Sequence, residues 1–285
     1  MDLYSIKTIK ELLKAHNTTS KKRLGQNFLL EKRVTSKILK AAELSRKDMV
    51  LEIGPGIGTL TKELAKNAGK VVAVEKDPAM VEILKETIKD LADVEVIRGD
   101  ILSLSRSSFA KLDRDKEYKV VANLPYYITS PVIRMFLETD KKPELMVFMV
   151  QKEVAQRICA RPPDMNLLAV SIQFYAEPKI VSFVRKGSFW PQPKVDSAIV
   201  KLVPNKEKSK LAPAKFFRVV KAGFKQPRKQ LHNNLSLGLK LSKQAVETWL
   251  RQANISPTQR AETLCLKDWV SLTASLPKSG LVIHT

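Results

Sequence analysis

Three polar side chains, Glu75, Asp100 and Asn123, each stand where a short apolar stretch of the sequence ends. A carboxylate such as Glu75 can accept hydrogen bonds from two neighbouring ribose hydroxyls, and Asp100 can accept one from the exocyclic amine of an adenine ring. Asn123 offers both a carbonyl acceptor and an amide donor. Each alone could be a surface side chain that caps a strand. Together they indicate a ligand site.

A glycine-rich stretch, Val50–Leu60, precedes these residues. It predicts a strand, a tight turn and a helix, and the free backbone N–H groups of such a turn suit an anionic ligand. The dinucleotide fingerprint G-x-G-x-x-G is not met after Gly54 and Gly56, because the third glycine, Gly58, comes one residue early and Thr59 stands where Gly or Ala is required. The loop therefore predicts a nucleotide-type site that does not take NAD. A purely structural turn is the alternative.

Apolar runs alternate with helical patterns through the first two thirds of the chain. This alternation predicts an α/β protein with a doubly wound sheet, whose ligands sit at the carboxyl ends of the strands. Strands are predicted from Val50, at Val71–Glu75, Val94–Ile97, Tyr118–Ala122 and Leu145–Val150, and around 195–201, with helices at 31–44, 60–68 and 78–91.

Composition limits the class of protein. The 285 residues carry a formal net charge of +21 and are 44% apolar, which predicts two domains, a substantial core and a polyanionic partner, nucleic acid before an anionic membrane. No apolar run reaches the roughly 18 residues that a membrane span needs, and Met1–Ser20 lacks a signal-peptide core, so we expect a cytoplasmic protein. Two cysteines, Cys159 and Cys265, and three scattered histidines predict no disulfide framework and no metal site.

The positive charge is concentrated at the two ends of the chain. Residues 1–47 hold twelve Lys or Arg against four Asp or Glu, and residues 201–285 hold sixteen against four. Beyond Pro204, a polar linker over 205–210 leads into a helical region. Helices are predicted at about 213–225, 229–238, 242–253 and 266–275, and the cations expected to contact phosphates are Lys221, Lys225, Arg228 and Lys229.

A series of motifs in the chain resembles those of the small-subunit ribosomal RNA adenine N6-dimethyltransferases, the kasugamycin-sensitivity family. The motifs are Leu24-Gly25-Gln26-Asn27-Phe28-Leu29, Glu52-Ile53-Gly54-Pro55-Gly56, the strand ends at Glu75 and Gly99-Asp100, Asn123-Leu124-Pro125-Tyr126, and Phe189-Trp190-Pro191-Gln192-Pro193-Lys194-Val195-Asp196-Ser197. They span roughly residues 21–203, in the family's order.

The resemblance implies a class I S-adenosylmethionine-dependent methyltransferase with a Rossmann-like sheet. Residues 1–204 would form the catalytic domain, of which residues 1–47 are the basic arm, and 205–285 a helical RNA-binding domain. The implied activity is dimethylation of two adjacent adenosines in the 3′-terminal hairpin loop of 16S rRNA, by a monomer without metal, during assembly of the small ribosomal subunit, with S-adenosylhomocysteine as product. The implied cofactor contacts are Asn27, Leu29, Gly54, Gly56, Glu75, Asp100 and Asn123. Tyr127 departs from the family pattern, in which many relatives carry a small polar residue.

The tetrad Asn123-Leu124-Pro125-Tyr126 has a physical logic for methylating an aromatic amine, whose lone pair is delocalised into the ring. If the N6 hydrogens donate to the Asn123 side-chain oxygen and the Leu124 carbonyl, the lone pair turns toward the methyl group. Pro125 stiffens the loop, and Tyr126 offers a face on which a flipped adenine stacks. By resemblance, Phe189 is the second stacking wall. A structural turn, and edge packing of Phe189, are the alternatives.

Two other functions remain open at this stage. One is a large-subunit rRNA methyltransferase of the erythromycin-resistance type, against which Gly54-Pro55-Gly56 and the Pro-x-Pro-Lys-Val-Asp-Ser stretch favour the small-subunit enzyme. The other is a non-catalytic RNA-binding factor of methyltransferase descent, which the intact cofactor set and tetrad disfavour.

Overall fold

The computed structural model describes residues 1–104, 117–139, 141–205 and 211–277. Contacts divide the chain into two compact units. The sheet unit comprises 1–155 and 178–204, and the helical unit comprises 156–177 together with the chain from Asn205. The expected boundary at 204/205 is one of the points where the chain passes between the units. Residues 156–177 differ from the expectation, since they group with the helical unit, in whose core Phe174 packs.

The sheet unit contains a seven-stranded sheet and a separate two-stranded ladder. The strands are β1 Phe28–Leu29, β2 Met49–Ile53, β3 Lys70–Glu75, β4 Val94–Arg98, β5 Tyr118–Asn123, β6 Leu145–Gln151, β7 Ala176–Val184, β8 Phe189–Trp190 and β9 Ser197–Pro204. The large sheet has the order β4-β3-β2-β5-β6-β9-β7, and β1 pairs with β8. The neighbours from β4 to β6 are parallel, and β9 is antiparallel to β6. The predicted α/β fold is confirmed.

The helices in the described part of the chain lie close to the predicted stretches, with some that sequence patterns did not reveal. They are α1 Ile6–Ala15, α2 Lys32–Ala42, α3 Thr59–Asn67, α4 Pro78–Thr87, α5 Thr129–Leu137, α6 Lys152–Ile158, α7 Leu167–Gln173, α8 Pro213–Gly223, α9 Leu231–Leu239, α10 Lys243–Gln252 and α11 Leu266–Ala274. Helix α1 was not predicted, although Ile9, Leu12 and Leu13 give it a buried stripe. No described helix has the length and apolarity that crossing a bilayer requires. Most of the predicted linker, 206–210, falls outside the described residues.

The parallel strands set the position of the polar residues. All five residues of β2 are buried, as are five of the six in β3, because both faces of this sheet are covered. Parallel strands that share a register end at one edge. The residue pairs Ile53↔Val74 and Glu52↔Val121 therefore bring the ends of β2, β3 and β5 together.

The helical unit has its own core around Phe216, Trp249 and Trp269. The turn after α8 is pinned by the buried Asn234, whose Nδ2 donates to the carbonyl oxygens of Gly223 at 2.7 Å and Gln226 at 2.9 Å. The turn that carries several of the predicted RNA-binding cations is thus held at its start by buried hydrogen bonds.

Candidate active site

The glycine loop between β2 and α3 adopts a conformation that other residues rarely reach. Gly54, Gly56 and Gly58 have φ values of +65°, +57° and +89°. A Cβ on Gly58 would lie 2.9 Å from both Leu84 Cδ1 and Thr87 Oγ1. The early third glycine, which argued against a dinucleotide site, is therefore required for packing against α4.

Glu75, at the end of β3, is tied to this loop. Its Oε2 accepts from the Gly56 N–H at 3.1 Å, and its Oε1 accepts from the Asp77 N–H at 2.8 Å. Burial raises the pKa of Glu75, and these backbone donors oppose the rise. The backbone donors orient the carboxylate, and its remaining acceptor capacity is available to hydroxyl groups of a ligand.

Replacing Glu75 by Ala should weaken binding of S-adenosylmethionine by at least about tenfold, because charge-assisted hydrogen bonds are lost. Titration calorimetry measures the affinity directly. Glu82→Ala, which removes an exposed carboxylate paired with Lys85, is the control and should leave the affinity unchanged. An unaltered affinity in Glu75→Ala would show that this carboxylate does not hold the cofactor.

Asp100 has a partner that sequence reasoning missed. Its Oδ2 accepts from Lys76 Nζ at 2.7 Å, and its Oδ1 accepts from the Leu102 N–H at 3.1 Å. The hydrogen bond from Lys76 lowers the pKa of Asp100. Asp100 is thus an ionised acceptor, and an adenine amine would have to share it with Lys76.

Asn123 is oriented by the N-terminal arm. Its Nδ2 donates to the backbone oxygen of Asn27 at 3.3 Å, and the Asn27 side chain in turn donates to the Gly25 carbonyl at 3.1 Å. Because the amide nitrogen is engaged, the side-chain oxygen of Asn123 remains as the acceptor. No local sequence pattern could have revealed this contact between residues 96 positions apart.

Gly25 in the arm packs closely against Pro125 of the tetrad. Gly25 has φ +67°, and a Cβ built on it would lie 3.2 Å from Pro125 Cβ. We expect Gly25→Ala to lower turnover by roughly ten- to a hundredfold, because it shifts Pro125 and Asn123 relative to each other. Steady-state kinetics test this. Gly187→Ala is the matched control, since no atom of the described residues lies within 4 Å of its Cβ position. Equal turnover in both variants would contradict the role assigned to the arm.

A buried ion pair fastens the arm to the loop after β3. Asp77 has a fully buried carboxylate that accepts from Lys21 Nζ at 2.7 Å and Gln26 Nε2 at 2.8 Å. Burial alone would raise the pKa of Asp77, but these hydrogen bonds outweigh it and lower the pKa. The basic run that begins at Lys21 is therefore not simply solvated. Its first lysine is a structural partner of the site.

The predicted cofactor-binding residues line one cleft at the carboxyl edge of the sheet. All seven predicted cofactor contacts line it, together with Glu52, Pro125 and Tyr127. They are Asn27, Leu29, Gly54, Gly56, Glu75, Asp100 and Asn123. The family departure at Tyr127 matters, because this side chain is 54% exposed and borders the cleft.

The remaining predicted catalytic residues, Leu124, Tyr126 and Phe189, are not among those that line the cleft. Leu124 is 1% exposed, and its N–H donates to the Met149 carbonyl at 3.2 Å. The Tyr126 hydroxyl is 2.7 Å from Ser197 Oγ, and burial raises the pKa of this tyrosine. Phe189 is 3% exposed and belongs to the apolar core of the sheet unit.

The pairing of β1 with β8 explains why Phe189 lies in the core and not at the cleft, where a stacking wall was predicted. In the β1–β8 ladder it pairs with Leu29, while its neighbour Trp190 pairs with Phe28 and stacks on that ring. Successive residues of a strand face opposite ways, so only one of the two aromatic rings can point into the core. Phe189 would have to leave this core to stack on a base.

Glu52 is a buried group that sequence reasoning did not single out as a site residue. It lines the cleft, is 1% exposed, and its Oε2 has no hydrogen-bond partner among the described residues. Burial raises the pKa of Glu52 to about 8. An unpartnered carboxyl oxygen can accept a hydrogen bond from a ligand, and S-adenosylmethionine carries an ammonium group that can donate one.

The raised pKa of Glu52 predicts a pH dependence of stability. The folded state keeps the proton up to about pH 8, whereas the unfolded chain releases it near the ordinary value of 4.5, so stability falls as pH rises between the two. The Glu52→Gln variant should gain on the wild type by up to about 1.4 kcal/mol per pH unit in this window. Denaturant unfolding at pH 5.5 and 7.5 without cofactor measures the difference. Parallel pH profiles would mean that Glu52 is ionised when folded.

The four predicted RNA-binding cations lie at the end of α8 and in the turn before α9. Lys221, Lys225, Arg228 and Lys229 are all exposed, and none has an ion-pair partner in the part of the chain that the structure describes. Among the described residues, no cluster of three or more His, Cys, Asp or Glu could hold a metal ion.

A mostly parallel sheet with a glycine loop after β2, an acidic residue at the end of β3 and a polar residue at the end of β5 is an α/β arrangement of the class I methyltransferase type. A model of the ribosomal RNA adenine dimethylase family matches residues 17–278. A ribosomal RNA small subunit methyltransferase A from Dehalococcoides mccartyi is 48% identical over 265 residues, covering 92% of this chain and 90% of the relative. The chain belongs to the ribosomal RNA adenine dimethylase family.

Other relatives agree. A ribosomal RNA small subunit methyltransferase A from Clostridioides difficile is 42% identical over 280 residues, covering 95% of this chain and 96% of the relative. A dimethyladenosine transferase from Plasmodium falciparum has a TM-score of 0.74 at 27% identity, covering 86% of this chain and 95% of that one. The 23S rRNA methyltransferase ErmE has a TM-score of 0.72 at 28% identity, covering 88% and 99%.

Proposed function

We propose that this protein transfers methyl groups from S-adenosylmethionine to N6 of adenines in small-subunit rRNA. The target would be two adjacent adenosines in the 3′-terminal hairpin loop, modified by a cytoplasmic monomer during assembly of the small ribosomal subunit. The observation that carries the proposal is the anchored amide of Asn123, whose side-chain oxygen is the remaining acceptor beside a cleft lined by all seven predicted cofactor contacts.

The donor set fits the cofactor. Glu75 would accept from the ribose hydroxyls, Asp100 from the adenine amine, and Gly54 and Gly56 would let backbone approach the ligand without a Cβ. S-adenosylmethionine supplies, when bound, a methyl group activated by its sulfonium. The residues of this chain bind and orient it, and Glu52 offers a carboxyl group near the cleft for its positive charge.

Catalysis by the tetrad is mainly positioning. The Asn123 oxygen and the Leu124 carbonyl would accept the two N6 hydrogens, which draws the nitrogen toward tetrahedral geometry and aims its lone pair at the methyl group. Holding two reactants in this geometry removes much of the entropic barrier. The methylated nitrogen is acidic enough to lose its proton to water. Tyr126 would offer a stacking face, and burial raises the pKa of its hydroxyl, which disfavours a role as a base.

Recognition of RNA would come from the charged ends of the chain. The arm and residues 201–285 together hold +20 of the +21 charges, so residues 48–200 are nearly neutral at +1. Phosphate contacts from these segments position a folded RNA but carry little base information. We therefore expect recognition of RNA shape, with a partly assembled particle preferred to a free hairpin.

A large-subunit target is the second candidate, because the similarity to ErmE in structure is nearly as high as that to the dimethyladenosine transferase. Relatives named small subunit methyltransferase A, at 42–48% identity over nearly the whole chain, favour the first. A non-catalytic RNA-binding factor is disfavoured by the complete cleft.

Labelled methyl transfer distinguishes these candidates. Small-subunit particles that lack the modification and naked large-subunit rRNA are incubated with the protein and methyl-labelled S-adenosylmethionine. We expect label in the small-subunit rRNA and little in the large-subunit rRNA. The reverse pattern would favour the erythromycin-resistance type, and no label in either RNA would favour the non-catalytic factor.

A further inference from the structure

An exposed aromatic ring stands on the outermost strand of the sheet. Phe183, in the edge strand β7, is 52% exposed, and Val181 on the same face of that strand is 38% exposed. Single exposed apolar side chains are common and need no explanation. Phe183 differs from such a residue because cationic side chains lie around it.

A lysine lies across the face of this ring. The Lys152 Nζ is 5.3 Å from the centre of Phe183, within the range of a cation–π contact. The backbone of Lys152 is fixed, since it follows β6 directly and its N–H donates to the Asp196 carbonyl at 2.9 Å. Phe183 lies in strand β7 and Lys152 directly follows strand β6, so the ring and the cation form a pair whose backbone positions are fixed by the sheet.

The pair lies at the same edge of the sheet as the cleft. Asn123 pairs with Met149 on β6, and Lys152 comes three residues further toward the carboxyl end, about 10 Å at 3.3 Å per residue. The Tyr126 hydroxyl, 2.7 Å from Ser197 Oγ, links the tetrad to the segment that holds Lys152. A nucleic-acid strand whose target base enters the cleft would pass this surface.

Positive charge continues beyond Phe183. Arg185 and Lys186 follow it in the turn before β8, both exposed. One carboxylate lies in this region, that of Asp196, whose Oδ1 accepts from the Lys186 backbone N–H at 3.0 Å. In the described part of the chain, Lys152, Arg185 and Lys186 have no ion-pair partner. The average neutrality of residues 48–200 therefore conceals a local cationic patch.

An aromatic face beside unpaired cations is typical of surfaces that bind single-stranded nucleic acid, where bases stack on the ring and phosphates meet the charges. A protein-docking patch would instead have a core depleted in charged residues. We propose that Phe183 and Lys152, with Arg185 and Lys186, form a platform for an unpaired nucleotide that flanks the target adenine. This inference rests on the proposed function and adds a second base contact to it. Contacts with flanking nucleotides are a source of sequence context in enzymes that act on flipped bases.

Because Phe183 is exposed, substitutions there should leave the fold intact. Phe183→Leu keeps apolar volume and removes the aromatic face, whereas Phe183→Tyr keeps the face. Leu237→Ala, at a side chain 57% exposed in the helical unit, is a control for loss of exposed apolar surface. Thermal unfolding and affinity for S-adenosylmethionine should be unchanged in all three.

The test is the affinity of these proteins for a synthetic RNA hairpin with the two adjacent adenosines, intact or with single abasic sites at the flanking nucleotides. We expect Phe183→Leu to bind the intact hairpin roughly tenfold more weakly, and Phe183→Tyr and Leu237→Ala to bind it like the wild type. One abasic site should cause the same loss in the wild type and none further in Phe183→Leu. Equal affinity of Phe183→Leu and wild type for the intact hairpin would overturn the platform, even if binding to a protein-containing particle changed. Additive losses at every abasic position would also overturn it. Methyl transfer by the wild type, measured in parallel, reports on the proposed function alone.

Discussion

Asn123→Ala is expected to lower turnover by a factor of about 10² to 10³ while affinity for RNA barely changes, the magnitude typical of a hydrogen bond made in the transition state. The reason lies in the orientation of the amide. Its nitrogen donates to the Asn27 carbonyl, so its oxygen is the group left to accept an N6 hydrogen. That hydrogen bond strengthens as the nitrogen becomes tetrahedral and contributes little to holding the RNA.

Single-turnover methyl transfer and equilibrium RNA binding, measured on the same preparations, separate these effects. Asn67→Ala serves as the control, because it removes an exposed amide on α3 that bonds only its own helix in the structure. It should behave like the wild type. If Asn123→Ala kept its turnover, or lost turnover only in proportion to RNA affinity, the lone-pair argument would be wrong.

Replacing Lys221, Lys225, Arg228 and Lys229 together by Gln should weaken binding to the small-subunit particle on the order of a thousandfold at 0.1 M salt, if all four contact phosphates. Each neutralised phosphate releases counterions, so the slope of log affinity against log salt should also fall by about 3 to 4. Affinity for S-adenosylmethionine should stay constant, since none of the four lines the cleft.

A charge-matched control distinguishes a surface from total charge. Lys240, Lys243, Arg251 and Lys267 are also exposed in the helical unit, and their replacement by Gln removes the same charge. We expect a much smaller loss of affinity. If the two quadruple variants lost affinity equally, general attraction by net charge would explain binding without a defined surface. If the first variant kept its affinity and salt slope, the cations would be solvated and nothing more.

Local sequence patterns predicted which polar residues lie at the carboxyl edge of the parallel strands. Glu75, Asp100 and Asn123 could be placed at one edge because each stands at or just beyond the end of a predicted strand, and the carboxyl ends of parallel strands meet in a doubly wound sheet. The glycine loop was predictable because its residues are contiguous in the sequence.

Contacts between distant segments were not predictable. The Asn27 carbonyl that orients Asn123, the Lys21–Asp77 ion pair and the β1–β8 ladder that buries Phe189 all join residues more than 50 positions apart. The grouping of residues 156–177 with the helical unit likewise depends on packing against helices much later in the chain. Helix and strand periodicity carries no information about which distant partner a side chain meets.

Identifying the atom that receives the methyl group tests the proposed transfer to N6 of adenine. Small-subunit particles lacking the modification are treated with the protein and S-adenosylmethionine, and the nucleosides of their digested rRNA are analysed by mass spectrometry against synthetic standards. We expect N6,N6-dimethyladenosine at two adjacent positions with the wild type and almost none with Asn123→Ala. Methylation at another atom of adenine, or on another base, would contradict the assignment of the Asn123 oxygen as acceptor for the N6 hydrogens.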